Sequence, residues 1–118
     1  MIHKKHNVQI EIYPEFHDCL TGLEQFNKII VLWWFSKNDT PTLRAIRQVH
    51  PQGNVYNPVR GIFATRSPFR PNPIAFSVVT MQRLDIHNNI IYIDDIEAYD
   101  KTPVIDIKPY IRSIDCPN

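Results

Sequence analysis

Residues 74–93 read IAFSVVTMQRLDIHNNIIYI, and this stretch decides the fold that the sequence predicts. Ile74 to Leu84 is dominated by apolar and β-branched residues, which favour a long extended strand. His87-Asn88-Asn89 then interrupts the apolar pattern, and asparagine tolerates the positive φ that a tight hairpin turn needs. Ile90 to Ile93 follows as the partner strand. The stretch therefore predicts a long antiparallel hairpin.

Further strands are predicted before this hairpin. Val8 to Ile12 alternates apolar and polar residues, as a half-buried strand does. Lys28 to Phe35 (KIIVLWWF) is β-branched and aromatic almost throughout, which predicts a central strand buried on both faces. Between these two, Phe16 to Phe26 predicts a short helical or turn element that breaks at Gly22.

Four shorter extended segments complete the prediction: Leu43 to His50, Gly61 to Ala64, Asp95 to Tyr99 and Val104 to Ile107. For Leu43 to His50, a strand is favoured over a helix. Ten prolines punctuate the chain, and no long stretch has helical periodicity. Short strands at close spacing are typical of all-β folds. The sequence therefore predicts an all-β fold: a small, mostly antiparallel β-barrel with short helical turns.

Length and composition narrow the class of protein. A chain of 118 residues, 43% hydrophobic and 21% charged, is predicted to form one globular domain over residues 1–118. Its longest apolar run, Ile29 to Phe35, is far shorter than the roughly 20 residues of a membrane-spanning helix. The N-terminal MIHKKHNVQ lacks the apolar core of a signal peptide, so a cytoplasmic location is expected. Cys19 and Cys116 are expected to be free thiols there, although a pair remains an alternative.

The charges are segregated along the chain. Between Thr40 and Leu84 there is no Asp or Glu, and every basic residue there is arginine: Arg44, Arg47, Arg60, Arg66, Arg70 and Arg83. A guanidinium makes planar, bidentate contacts with phosphate or carboxylate. The window therefore predicts an anionic partner. The alternative is that the arginines pair with acidic residues from the two ends of the chain.

The densest chemistry lies in residues 61–79, GIFATRSPFRPNPIAFSVV. Pro68, Pro71 and Pro73 restrict the backbone between Arg66 and Arg70, so the loop has few conformations to lose. A stiff loop that presents two guanidinium groups is suited to hold an anion or a carboxylate-bearing ligand. The alternative is a structural connection whose arginines bind backbone carbonyls.

Several common site types are not supported by the sequence. The five histidines form no HxxxH or HExxH pattern and neither cysteine lies in a CxxC, so no metal site is predicted. GxSxG, GxxxxGK[ST] and GxGxxG are all missing, which argues against a nucleophile elbow, a P-loop and a Rossmann site.

Two further segments carry polar groups suited to a ligand. The turn Tyr99-Asp100-Lys101-Thr102-Pro103, followed by Asp106, offers carboxylates, a hydroxyl and backbone groups; a plain turn is the alternative. Phe35-Ser36-Lys37-Asn38 follows the central strand. Nearby aromatic residues could stack on a base, although each one taken singly is more often a core residue: Trp33, Trp34, Tyr56, Phe69 and Phe76.

The motifs resemble those of one known family. Residues 64–74 (ATRSPFRPNPI), 22–26 (GLEQF) and 100–110 (DKTPVIDIKPY) follow the order found in the TsaA-like, or TrmO, proteins, and the resemblance covers about residues 8–110. It implies a β-barrel that binds S-adenosylmethionine and methylates N6 of threonylcarbamoylated adenosine in tRNA. Family members are homodimers, so a homodimer is implied as well.

The resemblance also assigns site residues. By motif position it implies that the cofactor is bound by Ser36, Lys37, Arg66, Phe76, Asp100, Lys101, Thr102 and Pro103. The arginine-rich window supplies the candidates for RNA phosphates: Arg44, Arg47, Arg60 and Arg70. Arg70 and Asn72 are expected to shape the loop. Tyr99, Asp100 and Asp106 are the candidates that accept the proton released from the methylated nitrogen.

This sequence departs from the family pattern at four places. It begins after a strand, a Ser-Pro segment and a Pro-Arg-Gln cofactor contact that are usual in the family. It has Ser36 where His is common, Ala75-Phe76 where Gly-Leu is typical, and Lys101 where Gly is usual. If that glycine has positive φ, Lys101 strains the turn. The absent N-terminal contact and Lys101 favour an alternative function, a non-catalytic barrel that binds S-adenosylmethionine or RNA; methylation of a small metabolite is a third possibility.

Overall fold

The computed structural model describes all of residues 1–118, and strands dominate it. The strands are β1 (Ile2–His3), β2 (Gln9–Glu11), β3 (Lys28–Trp34), β4 (Gln48–Val49), β5 (Arg60–Gly61), β6 (Ile74–Asp85), β7 (Ile90–Ile93) and β8 (Val104–Pro109). Two short α-helices are α1 (Pro41–Arg44) and α2 (Arg112–Asp115). Single 3₁₀ segments occupy Pro14–Leu20, Leu23–Gln25, Ser36–Asn38, Pro51–Gly53 and Ile62–Ala64. None of the helices is long and apolar enough to span a bilayer.

Six strands form one sheet in the order β1-β2-β7-β6-β3-β8, and β4 pairs with β5 separately. The pairs β1–β2, β2–β7, β6–β7, β3–β8 and β4–β5 all run antiparallel. The prediction of a mostly antiparallel fold with short helical segments is confirmed. Closure of the sheet into a barrel stays a prediction.

The predicted long hairpin is confirmed as β6 and β7. Asp85 pairs with Ile90 at its closed end, and a bulge lies between Met81 and Arg83. Asn89 has the predicted positive φ, 58°. The turn is further held by Asp85, whose carboxylate accepts hydrogen bonds from the backbone and the side chain of Asn88.

The central strand is also confirmed. β3 lies between β6 and β8, and Ile29 and Val31 are fully buried. The buried core continues through β1, β2 and β7, since Ile10 of β2 lies opposite Ile2 of β1 on one side and Ile91 of β7 on the other. All three of these isoleucines have no accessible surface. Burial of branched apolar side chains, worth about 1.5–3 kcal/mol each, fixes the register because a one-residue slip would expose them.

The chain divides into two compact units. The first unit contains residues 1–33 and 76–118, and it includes β1, β2, β7 and β8. The second unit contains residues 34–75, with α1, β4, β5 and the loop of residues 65–73, here called the Arg/Pro loop. That the whole chain acts as one TsaA-like domain remains a prediction.

The segment before β3 folds as predicted. Two 3₁₀ segments, Pro14–Leu20 and Leu23–Gln25, are separated at Gly22. Gly22 has φ of 87°, a conformation that a residue with a Cβ adopts only with strain. Leu20 anchors the first segment in the core.

The prediction of a strand over Leu43 to His50 is wrong for its first half. A helical turn, α1, occupies Pro41–Arg44, and only Gln48–Val49 is extended. Thr40 caps the turn, since its Oγ1 accepts a hydrogen bond from the Leu43 N–H at 3.2 Å, and Pro41 stands at the first helical position. A Thr-Pro start signal of this kind outweighed the apolar alternation that follows it.

Two other short strands were also misplaced. The segment Gly61 to Ala64 is extended only at Gly61, because Ile62–Ala64 forms a 3₁₀ turn. Residues 95–99 contain no strand, whereas the last strand continues past Ile107 to Pro109. These errors concern segments of two to five residues, for which cross-strand pairing outweighs local propensity.

Candidate functional site

The Arg/Pro loop is held by a chain of side-chain hydrogen bonds within the second unit. The Thr65 hydroxyl donates to the carbonyl oxygen of Ile62 at 2.8 Å and accepts from the Ser67 N–H at 3.2 Å. The Ser67 hydroxyl in turn accepts from the Phe69 N–H at 3.2 Å. Hydroxyl groups two residues apart thus replace a regular backbone ladder, because prolines interrupt it.

Arg70 closes this loop on itself. Its Nη1 donates to the carbonyl oxygens of Thr65, at 3.0 Å, and Ser67, at 3.2 Å. Arg70 therefore shapes the loop, as the sequence predicted, and it does so by the carbonyl binding that was the structural alternative. Its contact with RNA stays a prediction.

Arg66 borders a cavity of about 710 Å³ that lies entirely within the second unit. The lining contains no carboxylate side chain, and its polar and aromatic members include His50, Arg60, Arg66, Ser67 and Phe69. Residues 34–75 contain six lysines and arginines and one acid, Asp39. The cavity therefore lies in a region of positive charge, which favours an anionic group in a ligand.

The single acid of this unit is already paired. Asp39 contacts Arg44 at 3.0 Å and accepts a hydrogen bond from the Trp34 Nε1 at 3.1 Å. Arg44 also donates from Nε to the carbonyl oxygen of Pro71 and lies 5.7 Å from the centre of the Trp34 ring. Its guanidinium thus ties α1 to the Arg/Pro loop, whereas Arg47 and Arg60 are exposed.

The turn at residues 99–103 belongs to the first unit and is fixed by the N-terminal strand. Lys101 N donates to the Ile2 carbonyl oxygen at 2.7 Å, and Ile2 N donates to that of Thr102 at 2.9 Å. The Thr102 hydroxyl, almost fully buried, donates to the carbonyl oxygen of Tyr99 at 2.7 Å. Asp100 accepts a hydrogen bond from the Lys4 N–H at 2.8 Å. This turn is therefore rigid and carries an oriented carboxylate.

Lys101 has φ of 66°, in the left-handed region that favours glycine. The position therefore has the positive φ that the family's glycine suggested, and the lysine side chain strains it. The hydrogen bond from its N–H to β1 helps to hold the residue in this conformation.

The profile of the tRNA-methyltransferase O N-terminal domain matches residues 1–116. The chain belongs to this TrmO family. It is 49% identical over 108 residues to a probable S-adenosyl-L-methionine-binding protein of Methanocaldococcus jannaschii, covering 92% of this chain and 84% of that one. It is 52% identical over 116 residues to a protein of the same description in Pyrococcus horikoshii, covering 98% and 82%.

More distant TrmO relatives are longer proteins. The human tRNA (adenine(37)-N6)-methyltransferase is 38% identical over 110 residues, which cover 93% of this chain and 24% of the human one. A crystal structure of TrmO from Pseudomonas aeruginosa superposes with a TM-score of 0.69 at 29% identity. That match covers 93% of this chain and 44% of the Pseudomonas chain.

The two units of this TrmO-family chain divide the residues that the resemblance assigns to the cofactor. Ser36 and Lys37 lie in the 3₁₀ turn after β3, both exposed, and with Arg66 they belong to the second unit. Phe76 on β6 and the turn at 100–103 belong to the first. Their role in binding the cofactor remains a prediction.

The candidates for proton acceptance differ in their surroundings. Tyr99 is 63% exposed, and Asp100 shares its turn. Asp106, on β8, is ion-paired with Lys108 at 3.1 Å, and its Oδ1 accepts from the Ile107 N–H at 2.8 Å. The structure thus brings Tyr99 and Asp100 together and gives Asp106 structural partners.

One predicted stacking residue is a core residue instead. Trp33 is 5% exposed, and its Nε1 donates to the Ser77 hydroxyl at 2.9 Å. It is therefore excluded as a platform for a base. Both cysteines are free, as expected from the sequence, and the structure shows that both are exposed. No group of three or more His, Cys, Asp and Glu side chains is placed to hold a metal ion.

Sequence reasoning missed two features of the site. The Lys4 N–H that holds Asp100 lies 96 residues away in sequence, and no local pattern indicates such a contact. The loop from His50 to Asn57 lines much of the cavity, yet only its Tyr56 was assigned a role, as one candidate for base stacking. Its Pro, Gly and two Asn residues, with two apolar residues at 55 and 56, were the available signal.

Proposed function

We propose that this TrmO-family domain is an S-adenosylmethionine-dependent methyltransferase that acts on N6 of threonylcarbamoylated adenosine in tRNA. The relatives described as S-adenosyl-L-methionine-binding proteins bear out the predicted cofactor. The mouse and human relatives, described as tRNA (adenine(37)-N6)-methyltransferases, bear out the predicted enzyme class and support tRNA as the partner. The threonylcarbamoyl group, the closed barrel, the homodimer and the cytoplasmic location belong to the proposal.

The observation that carries the proposal is the acid-free cavity beside Arg66. Its volume, about 710 Å³, lies in the range of roughly 300–1,000 Å³ of pockets for small molecules and cofactors. Arg66 is suited to the only anionic group of the cofactor, its carboxylate, and Phe69 offers an apolar face to the adenine. The residues present therefore fit the carboxylate and the adenine of S-adenosylmethionine, whereas its cationic ammonium and sulfonium groups meet no carboxylate in this lining.

The chain's contribution to catalysis is placement. The cofactor supplies a methyl group that its sulfonium centre already activates. In the transfer a bond forms between N6 and the methyl carbon, the sulfur–carbon bond breaks, and N6 loses its proton. Alignment of donor and acceptor can lower such a barrier by up to about 7–11 kcal/mol. The hydroxyl-braced Arg/Pro loop and the hydrogen-bonded turn at 100–103 are rigid enough for that purpose.

Asp100 is the proton acceptor that the geometry favours. Its carboxylate is oriented by the Lys4 N–H, and it stands inside the proposed cofactor turn. Asp106 also accepts one backbone N–H, that of Ile107, but unlike Asp100 it is in addition ion-paired with a lysine, Lys108. We therefore expect Asp100→Asn to lower methyl transfer, measured at saturating cofactor, far more than Asp106→Asn does.

The arginines of the second unit are proposed to hold tRNA phosphates. Arg47 and Arg60 are exposed and lie in a unit with one acid. Arg44 and Arg70 have structural partners as well, so their loss would also perturb the loop. Phosphate contacts of this kind position an RNA and make its affinity salt-dependent.

The deciding experiment offers methyl-labelled cofactor to two tRNA preparations, one bearing and one lacking the threonylcarbamoyl group. Label is expected in the modified tRNA only. Equal labelling of both preparations would contradict the proposed acceptor. No labelling of any tRNA would contradict the methyltransferase function.

The strain at Lys101 favours a second candidate function, that of a non-catalytic module that binds the cofactor or RNA. A residue with a Cβ at φ of 66° strains the turn that the family resemblance assigns to the cofactor. Calorimetric binding of S-adenosylmethionine with no transfer to modified tRNA would favour this candidate.

A further inference from the structure

The most exposed apolar side chains of the second unit cluster between residues 55 and 63. Tyr56 is 93% exposed and Phe63 is 89% exposed, more than any other aromatic side chain of the protein. Val55 is 70% exposed and Val59 is 50% exposed. Four strongly exposed apolar side chains within nine residues of sequence are unusual for a free surface, and such side chains mark an interaction site more often than single ones do.

The loop that carries Tyr56 is held rigidly by its own polar groups. His50 Nδ1 hydrogen-bonds the Asn57 carbonyl oxygen at 2.8 Å, and Asn57 Nδ2 donates to that of Pro51 at 2.8 Å. The side chain of Asn54 accepts from the Tyr56 N–H at 3.0 Å. Exposure of the tyrosine is therefore a built feature of the loop, and little conformational entropy is lost when a partner contacts it.

The hairpin formed by β4 and β5 supports this loop and places a guanidinium beside it. Val49 pairs with Arg60, so the loop begins and ends at the cavity described above. Val55 and Arg60 both line that cavity. Phe63 follows two residues after β5, in the 3₁₀ turn at Ile62–Ala64. An aliphatic and a cationic side chain thus lie on the wall that Arg66 shares, and Tyr56 directly follows Val55 in the chain.

We infer that the surface made by Val55, Tyr56, Val59, Arg60 and Phe63, here called the 55–63 surface, binds unstacked bases of single-stranded RNA. Tyr56 and Phe63 stack on bases, and Arg60 contacts a phosphate. This inference rests on the proposed function, which supplies an RNA acceptor. The charge of the unit selects RNA over a protein partner, since its one acid is occupied by Arg44 and a polyanion complements the excess of basic groups.

The experiment measures binding of a 17-nucleotide RNA stem-loop with a seven-nucleotide loop, and of an RNA duplex of equal length, by fluorescence anisotropy. Tyr56→Ala and Phe63→Ala are each expected to weaken stem-loop binding by roughly 5- to 150-fold, the range for loss of one base–aromatic stack. Tyr56→Phe and Phe63→Tyr retain the ring and are expected to bind like the wild type. Duplex binding changes little, because its bases are already stacked.

Phe16→Ala is the matched control. Phe16 is also an exposed phenylalanine of a 3₁₀ segment, but it belongs to the first unit. It is expected to leave RNA binding unchanged. Arg60→Ala is expected to lower the slope of log affinity against log salt by about one, whereas Tyr56→Ala leaves the slope as it is. Calorimetric titration with S-adenosylmethionine should give the wild-type affinity for Tyr56→Ala, Phe63→Ala and Phe16→Ala.

Three results would overturn the inference. The first is wild-type RNA affinity in both Tyr56→Ala and Phe63→Ala. The second is a loss of RNA affinity in Phe16→Ala as large as in those variants. The third is a wild-type dimer that Tyr56→Ala dissociates in sedimentation, which would make the surface a contact with a second copy. Methyl transfer by the wild type, measured in parallel, separates the two proposals. Transfer with unchanged RNA binding in the variants refutes only the 55–63 surface, while absence of transfer to any tRNA refutes the proposed function.

Discussion

Replacement of Lys101 by glycine should make the protein more stable. Lys101 has φ of 66°, and a residue with a Cβ in the left-handed region is destabilised by roughly 1–2 kcal/mol. Glycine removes that strain, but it gains about 0.5–1 kcal/mol of conformational entropy in the unfolded chain. The Lys101 N–H bond to Ile2 is kept, since it belongs to the backbone. The net expectation is about 0.5–1 kcal/mol of added stability.

Urea denaturation followed by tryptophan fluorescence measures the change in the free energy of unfolding. In a thermal scan, the same gain in a chain of this length corresponds to a rise in Tm of about 2–5 °C. Lys101→Ala is the control, because it removes the charge and keeps the strained backbone, so it should not stabilise the protein. The reasoning is refuted if Lys101→Gly is less stable than the wild type, or if Lys101→Ala stabilises it equally.

Three further predictions concern the arginines and the hairpin turn. Arg70→Ala should destabilise the protein by about 1–3 kcal/mol in chemical denaturation, because it removes two hydrogen bonds from a charged donor within the Arg/Pro loop; an unchanged midpoint would show that the loop does not depend on them. Arg47→Ala should flatten the salt dependence of tRNA affinity by about one unit of slope, and an unchanged slope would contradict a phosphate contact. The Asn88 side chain, and then its backbone N–H, lower the pKa of Asp85 below its ordinary 3.8. The lowered pKa stabilises the folded state at pH values above the ordinary pKa, and this stabilisation is lost as the pH falls through the pKa of the folded state. NMR titration of Asn88→Ala should therefore show a higher pKa for Asp85 than in the wild type. An unchanged pKa would contradict the assignment.

Much of the sheet could be predicted from the sequence because its strands are long or strongly apolar. The β6–β7 hairpin and the buried β3 each combine branched residues with a turn or boundary signal. Burial then fixes which face is inside. By contrast, β4 and β5 have two residues each, and only their mutual pairing makes them strands. The α1 turn was missed, although Thr40 and Pro41 carried its start signal.

The segments that form the candidate site could be predicted from the sequence, but the hydrogen bonds that hold them could not. The Arg/Pro loop was identified from composition, and the glycine-like position of Lys101 from the family pattern. The brace from Lys4 to Asp100 was not predictable, because it joins residues near the two ends of the chain. Nor could composition show that Arg70 binds carbonyls of its own loop while Arg60 stays exposed, since both are arginines in the same charge window.

The central claim is that Arg66 on the stiffened loop binds the methyl donor. Calorimetric titration of S-adenosylmethionine into the wild type, Arg66→Ala and Arg66→Lys tests it most directly. Loss of a charge-assisted contact of about 1.5–3 kcal/mol should weaken binding by Arg66→Ala roughly 10- to 150-fold, with Arg66→Lys between the two. Wild-type affinity in a folded Arg66→Ala protein would contradict the claim.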